Sequence, residues 1–305
     1  MTTIAPSCLD TDQISAVVDI ALREDLDGHV DVSADVTAAW VMGTDNDQQT
    51  TARILSRQAG VVAGLDVATH VFERLDPQAR LTAHTTDGTM VDSDEIVLEI
   101  RGSAQALVVA ERTALNFLQR LGGIATLTRR YVDAIQHTTA RITDTRKTTP
   151  GLRHLERHAV RCGGGVNHRY NLADAVLIKE NHVAAAGGVL AAIERAQAGA
   201  IAAGRPETRI MCETETLDQV RELIAIDEAN WPDRILLDNM PPGLLAEAVS
   251  IIREEAGTQI EIEATGGIEL NDCAKVAETG VDLLSIGALT HSAPAMDLSL
   301  LFAGA

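Results

Sequence analysis

The sequence predicts an α/β protein in two parts, and three observations carry that prediction. From Ala140 onward, short apolar runs alternate with helix-like stretches in units of about 22 to 35 residues, the pattern of repeated βα crossovers. Before that point the pattern differs, with helical periods and hairpin-like alternation indicating an antiparallel α+β domain of about 100 residues. Finally, each apolar run in the second part ends in polar residues or glycine, as expected where loops gather ligand-binding groups at the carboxyl edge of a parallel sheet.

In chain order, Ile14 to Glu24 and Val67 to Leu75 have helical periods. The segments 51–64 and 80–102 read as hairpins with Gly- and Asp-rich turns. A long helix is expected from Ser103, broken at Gly122-Gly123, leading into the second part. There, strands are predicted at 140–146, 175–181, 208–214, 234–239, 259–266 and 281–287. All are rich in β-branched residues or continuously apolar, as strands covered on both faces should be. Helices are predicted at about 190–203, 216–229, 243–256 and 269–279. Thr216 with Gln219 forms a capping-box pattern, and Gly204, Gly257 and Gly280 stand where helices should stop. Periodicity alone does not distinguish an open parallel sheet from one closed into a barrel.

Composition narrows the function. The 305 residues carry a net charge of −19 and 2% aromatics, which argues against nucleic acid as a partner. No apolar run reaches the roughly 18 residues that cross a bilayer, and MTTIAPSCLD lacks the regions of a secretory leader. Cys8, Cys162, Cys212 and Cys273 are widely spaced with no CxxC pair, so neither a zinc site nor a disulfide framework is suggested, and each reads as a small buried hydrophobe. A cytoplasmic protein with no membrane partner is therefore expected.

Charge is distributed unevenly. Residues 141–182 hold eight Lys or Arg against four Asp or Glu, two of the chain's three lysines, and His154, His158, His168 and His182. A cationic island in an acidic chain is either a solvated face or a pocket for a small polyanion. The strand ends favour the pocket: Asp144-Thr145-Arg146-Lys147, then Lys179-Glu180-Asn181-His182, Glu213, Asp238-Asn239, Glu263 with Thr265-Gly266-Gly267, and Ser285 with Gly287. Arg and Lys bind carboxylate and phosphate. Glu213 and Asp238 are hard oxygen donors for Mg2+, directly or through water, or for ribose hydroxyls. Thr265-Gly266-Gly267 and Ile286-Gly287-Ala288 allow backbone amides to approach a phosphate. The set points to a phosphorylated sugar with a second anion.

The stretches DTRKTTPGLR (144–153), GGGVNHRYNLADAVLIKENH (163–182), RILLDN (234–239), EATGGI (263–268) and SIGALTHS (285–292) resemble the quinolinate phosphoribosyltransferases. ERTALNFLQRLGGIAT (111–126) and ALREDL (21–26) match as well, so the resemblance spans nearly the whole chain. It implies an N-terminal α/β sandwich domain, residues 1–115 with 292–305 returning to it, and an incomplete parallel α/β barrel, residues 116–291. About seven barrel strands are implied, one more than the runs above supply. It further implies that quinolinate and phosphoribosyl pyrophosphate become nicotinate mononucleotide, pyrophosphate and carbon dioxide in de novo NAD biosynthesis. Arg112, Thr145, Arg146, His168, Arg169 and Lys179 would bind quinolinate. Lys147, Glu213, Asp238, Thr265 to Gly267, Ile286 to Ala288 and His291 would hold phosphoribosyl pyrophosphate, with Mg2+ on Glu213 and Asp238. Lys147, Lys179, Glu213 and Asp238 would be the catalytic set.

By periodicity Arg112 lies on a polar helix stripe with Asn116 and Gln119, the pattern of a solvated face. The resemblance implies instead that it is supplied in trans within a homodimer, which is free to build a higher oligomer. Departures from the family pattern are Tyr170-Asn171, Thr265 for a commoner serine, the Cys212 to Glu215 run, and a longer stretch between Asp25 and Thr37. Two alternatives stand beside this expectation. One is a Schiff-base aldolase using Lys179; the other is a relative of the same fold outside NAD synthesis, of the kind associated with molybdate transport.

Overall fold

The computed structural model describes residues 9–42 and 48–303. The leader reading of the first residues and the expectation for Cys8 lie outside the described residues, as do the last two residues of the returning tail. The chain forms two compact units, Met1–Arg129 with Thr148–Gly164 and Leu289–Ala305, and Arg130–Lys147 with Gly165–Ala288.

In the first unit α1 (Thr11–Asp25) starts at Asp10, whose side chain accepts the Asp12 N–H, and buries Ile14, Val18 and Leu22 on one face. The longer stretch after Asp25 turns at Asp27 and Gly28, both at positive φ, and forms a 3-10 turn at Val32–Ala34. There Asp35 caps α2 (Val36–Val41) through the amides of Thr37 and Ala38. The chain continues through β1 (Gln49–Ser56), β2 (Gly60–Val61), α3 (Leu65–Leu75), β3 (Arg80–Ala83), β4 (Met90–Val91), β5 (Ile96–Ser103) and α4 (Ala104–Ala134).

The segment 51–64 is not a hairpin. Both edges of β1 are taken, one by β5 and the other by the chain's last strand, so β2 has no edge to join and pairs with β4 instead. In 80–102, β3 pairs antiparallel with β5 while β4 leaves the ladder. Nor does α4 break at Gly122-Gly123; it runs through 31 residues. The two glycines serve contact rather than termination. A Cβ at Gly123 would lie 2.0 Å from the Pro294 carbonyl oxygen, and one at Gly122 would lie 2.9 Å from the Met296 sulfur. The missing side chains let the returning segment lie against the helix, where the Met296 N–H reaches the Gln119 carbonyl at 2.9 Å. The expected boundary at 115/116 therefore falls inside one continuous helix.

The remaining elements are β6 (Arg141–Thr143), α5 (Arg153–Cys162), β7 (Val176–Ile178), α6 (Glu180–Ala186), α7 (Val189–Ala202), β8 (Ile210–Thr214), α8 (Leu217–Ile224), β9 (Arg234–Asp238), α9 (Pro242–Ala256), β10 (Glu261–Thr265), α10 (Cys273–Ala277), β11 (Leu283–Ser285), α11 (Ala288–His291) and β12 (Leu298–Phe302). The second unit is an incomplete barrel: six parallel strands in the order β6-β11-β10-β9-β8-β7, with helices between them. The strand missing from the sequence pattern is reduced to one residue. Val166 bridges Thr143 in parallel, donating to Ile142 O at 2.8 Å and accepting from Asp144 N at 3.3 Å. A single residue leaves no periodicity to read.

Thr216 and Gln219 cap α8 reciprocally, as expected. That helix stops at Ile224, short of 229, because Asp227 opens a 3-10 turn and the Trp231 indole donates to the Ile224 carbonyl. The helix expected over 269–279 is confined to α10, after a turn from Glu269 to Asp272. Four helices, α2, α5, α6 and α11, had no counterpart in the sequence pattern.

Candidate active site

At the end of β6 the buried Asp144 accepts from Asn167 Nδ2 at 2.6 Å and from the His168 backbone N–H at 2.7 Å. These bonds fasten the loop after Gly165 to the first strand. His168 Nδ1 accepts the Arg169 N–H at 2.7 Å, so its ring proton belongs on Nε2, which faces Glu263 Oε2 at 3.4 Å. Thr145 Oγ1 accepts the Lys147 N–H and sharpens the turn that carries Arg146 and Lys147.

Arg169 is half-buried and donates one N–H to the Ala175 carbonyl at 2.8 Å. Burial, then the neighbouring Arg146 cation, pushes it below the usual guanidinium range. Among the described residues neither arginine makes a salt bridge. Two neighbouring cations in one cleft favour an anionic ligand by charge.

In the same cleft, Lys179 directly follows β7 and forms an ion pair with Glu213 on β8. Oxygens of Glu213, Glu215 and Asp238 lie within 4.8 Å of one another. Three hard oxygen donors at that spacing fit a Mg2+ ion. Asn239, at φ 55°, donates to Asp238 Oδ2 at 2.7 Å, and its backbone N–H donates to Thr265 O at 2.9 Å. The Asn239 side chain occupies the space a Cβ at Gly266 would need: its Oδ1 would lie 2.3 Å away. Gly266 is therefore required both for its positive φ of 98° and for this close approach.

Glu263 forms the floor. It is fully buried, yet ion-paired to Arg234, bonded by the Ser285 hydroxyl, and faced by His168. Burial alone would raise its pKa; the His168 contact, the Arg234 charge and the Ser285 hydroxyl more than reverse that and hold it below the usual carboxylate range. Below it, Glu261 joins Arg234, Arg209 and Arg141 in a row of ion pairs. Cys212 is buried beside Glu213, and its thiol is pushed up to about 12, which removes it as a nucleophile.

Thr145, Arg146, Lys147, His168, Arg169, Lys179, Glu213, Asp238 and the Thr265 to Gly267 turn thus line one cleft of about 550 Å3. Ile286, Gly287 and Ala288 follow Ser285 at the same sheet end but are not part of its lining. Arg112 and His291 belong to the first unit; both are exposed, and His291 bonds the Ser292 hydroxyl at 2.6 Å. Asp144, Asn239, Glu263 and Ser285 stood at strand ends in the sequence without an assigned role. Arg234 stands at the opposite end of its strand, and only the β9–β10 register brings it to Glu263.

Two family models match the chain: the quinolinate phosphoribosyl transferase C-terminal domain over residues 124–301 and its N-terminal domain over 31–122. A probable nicotinate-nucleotide pyrophosphorylase [carboxylating] of Bacillus subtilis (strain 168) is 40% identical over 268 residues, covering 88% of each chain. The nicotinate-nucleotide pyrophosphorylase [carboxylating] of Mycobacterium leprae is 40% identical over 282 residues, covering 92% of this chain and 94% of the relative. Among solved structures, the nicotinate-nucleotide pyrophosphorylase of Francisella tularensis superposes with a TM-score of 0.87 at 34% identity, covering 99% of this chain and 100% of that one. With both domains matched and relatives this similar along nearly its full length, the chain belongs to the quinolinate phosphoribosyltransferase family.

Proposed function

We propose that this enzyme joins quinolinate to phosphoribosyl pyrophosphate, forming nicotinate mononucleotide, pyrophosphate and carbon dioxide, as a step of NAD biosynthesis. The observation that carries the reading is the presence, in one cleft, of Arg146 and Arg169 together with the Glu213 and Asp238 carboxylates, with a Glu215 oxygen within 4.8 Å of both carboxylates.

The residues divide between the two substrates. Arg146, His168 and Arg169, with Lys179, hold the two carboxylates of quinolinate and orient its ring nitrogen. Lys147, Asp238 and the Thr265 to Gly267 amides hold the phosphoribosyl pyrophosphate. Glu213 and Asp238, with Glu215, fit Mg2+ by donor type and spacing; bound there, the ion offsets negative charge on the pyrophosphate. Lys147 adds a cation on the leaving-group side. As the ribose C1–oxygen bond breaks, the sugar gains oxocarbenium character, and the pyridine nitrogen attacks C1. The resulting pyridinium stabilises the carbanion left when the adjacent carboxylate departs as carbon dioxide, and a proton then replaces that carboxylate. Positioning and electrostatics suffice, and no protein nucleophile is needed.

The same proposal includes a homodimer in which Arg112, exposed on α4, completes the quinolinate pocket of the neighbouring chain, and it includes a cytoplasmic location. Among the described residues, no helix is long and apolar enough to cross a membrane. A Schiff-base aldolase finds no support here, because the family models that match are those of quinolinate phosphoribosyl transferases. The decisive test is release of labelled carbon dioxide from carboxyl-labelled quinolinate. It should require phosphoribosyl pyrophosphate; no release, or release without that co-substrate, would place the chain with relatives outside NAD synthesis.

A further inference from the structure

A second cluster of side chains of metal-ligating type lies entirely within the first unit and shares no residue with the cleft. His158 and Cys162 are one turn apart on α5, at i and i+4, so their side chains project from the same face. Asp87 approaches them from the loop between β3 and β4. His158 Nε2 lies 2.7 Å from Asp87 Oδ2 and 3.3 Å from Cys162 Sγ, and one donor atom from each residue falls within 4.8 Å of the other two.

We propose that Asp87, His158 and Cys162 form a binding site for a zinc-class divalent transition-metal ion, with a water or another exogenous oxygen as fourth ligand. The donor set is the first reason. One imidazole nitrogen, one sulfur and one carboxylate oxygen suit Zn2+ and its neighbours, whereas the all-oxygen Glu213, Glu215 and Asp238 cluster suits Mg2+.

Geometry is the second. Tetrahedral bonds of roughly 2.0 to 2.3 Å separate ligand atoms by about 3.2 to 3.7 Å. The 2.7 and 3.3 Å edges therefore need to open by about half an ångström or less, and the third edge is no longer than 4.8 Å, adjustments within reach of side-chain rotations.

Preorganisation is the third. Asp87 Oδ2 accepts the Gly64 N–H at 2.9 Å and Oδ1 accepts the Leu65 N–H at 3.1 Å, so two backbone amides at the start of α3 fix the carboxylate. The next residue, Gly88, has φ 88°, and a Cβ there would come within 3.3 Å of the Cys162 carbonyl oxygen. The Asp87 loop is thereby held against the end of α5. His158 is buried, whereas Asp87 and Cys162 are half-buried, which leaves an ion a way in.

The test uses the full-length protein, stripped with chelator and titrated with Co2+ and then Zn2+. Co2+ should produce a thiolate-to-cobalt charge-transfer absorption at one equivalent, which Zn2+ bleaches. The band should disappear in Cys162→Ser, and His158→Gln should weaken binding at least about 100-fold. A measurement on the unsubstituted protein guards against variants that fail to fold. One equivalent of Zn2+ should slow alkylation of Cys162, followed by mass spectrometry, at least tenfold. Absence of the band, its survival in folded Cys162→Ser, or unchanged alkylation would each overturn the proposal.

Discussion

Replacing Arg169 by alanine tests the anion pocket most directly. Its guanidinium is half-buried, anchored to Ala175 O through one N–H, and strained by the Arg146 charge. A dicarboxylate relieves that repulsion while gaining a charge-assisted partner. Truncating one side of a desolvated charge pair costs roughly 2–5 kcal/mol, a weakening of about 30-fold to several thousand-fold. Arg146 is exposed, so water and salt screen its contribution, and Arg146→Ala should weaken quinolinate by only about tenfold. The assay is calorimetric titration of both variants with quinolinate and, in parallel, with nicotinate, which lacks the second carboxylate. Nicotinate should lose much less affinity than quinolinate in at least one of the two. Parent-like quinolinate binding by both variants, or equal losses for the two ligands in both, would refute the assignment of this cleft to a dicarboxylate.

Other consequences follow from the same geometry. Turnover should vanish in excess chelator and return with Mg2+ or Mn2+, since pyrophosphate leaves poorly without a cation; full activity in chelator would exclude the Glu213, Glu215 and Asp238 metal site. Gly123→Ala would force a Cβ to 2.0 Å from Pro294 O, and overpacking of this kind costs roughly 1–3 kcal/mol. A thermal melt should therefore show a lower Tm, and an unchanged Tm would mean that the returning segment does not dock on α4. Because the pKa of Glu263 is held below its ordinary range, its contribution is complete above that range and is lost as pH falls through the folded value. Glu263→Gln should flatten the acid limb of a stability–pH curve; an unaltered limb would show that the contacts of Glu263 with His168, Arg234 and Ser285 together contribute nothing to it. For the dimer, Arg112→Ala and Lys147→Ala should each be nearly inactive alone, yet after subunit exchange up to about a quarter of all sites should recover. No recovery after verified exchange would mean that Arg112 serves its own chain or no site.

The second unit was largely legible because its strands are buried on both faces and its helices carry their own stop signals. Each predicted run contains its observed strand, from Arg141–Thr143 to Leu283–Ser285. Reading the ends of those runs was enough to collect Arg146, Lys179, Glu213 and Asp238, since a parallel sheet aligns its carboxyl ends. What depends on register was not legible. Glu263 meets Arg234 only because β10 pairs with β9 in one particular offset, and Val166 replaces a whole strand with one bridge. The first unit misled for a related reason. Gly122-Gly123 and the 51–64 turn both resemble punctuation, but each is shaped by residues near the chain's end, namely Pro294 to Met296 and β12. Local patterns carry no trace of partners that distant.

The pairing of β1 with β12 also bears on how the protein is made. Ala52 lies opposite Phe302, so closing that ladder spans about 250 residues and costs about 5 kcal/mol of loop entropy before any contact compensates. On the ribosome, the first unit emerges early and must wait for the final strand, with one edge of β1 bare while the whole barrel is synthesised. A bare strand edge invites pairing with other nascent chains. Deleting 298–302 should therefore lower soluble yield far more than the loss of five residues from a barrel helix, and a β12 peptide supplied in trans should restore it.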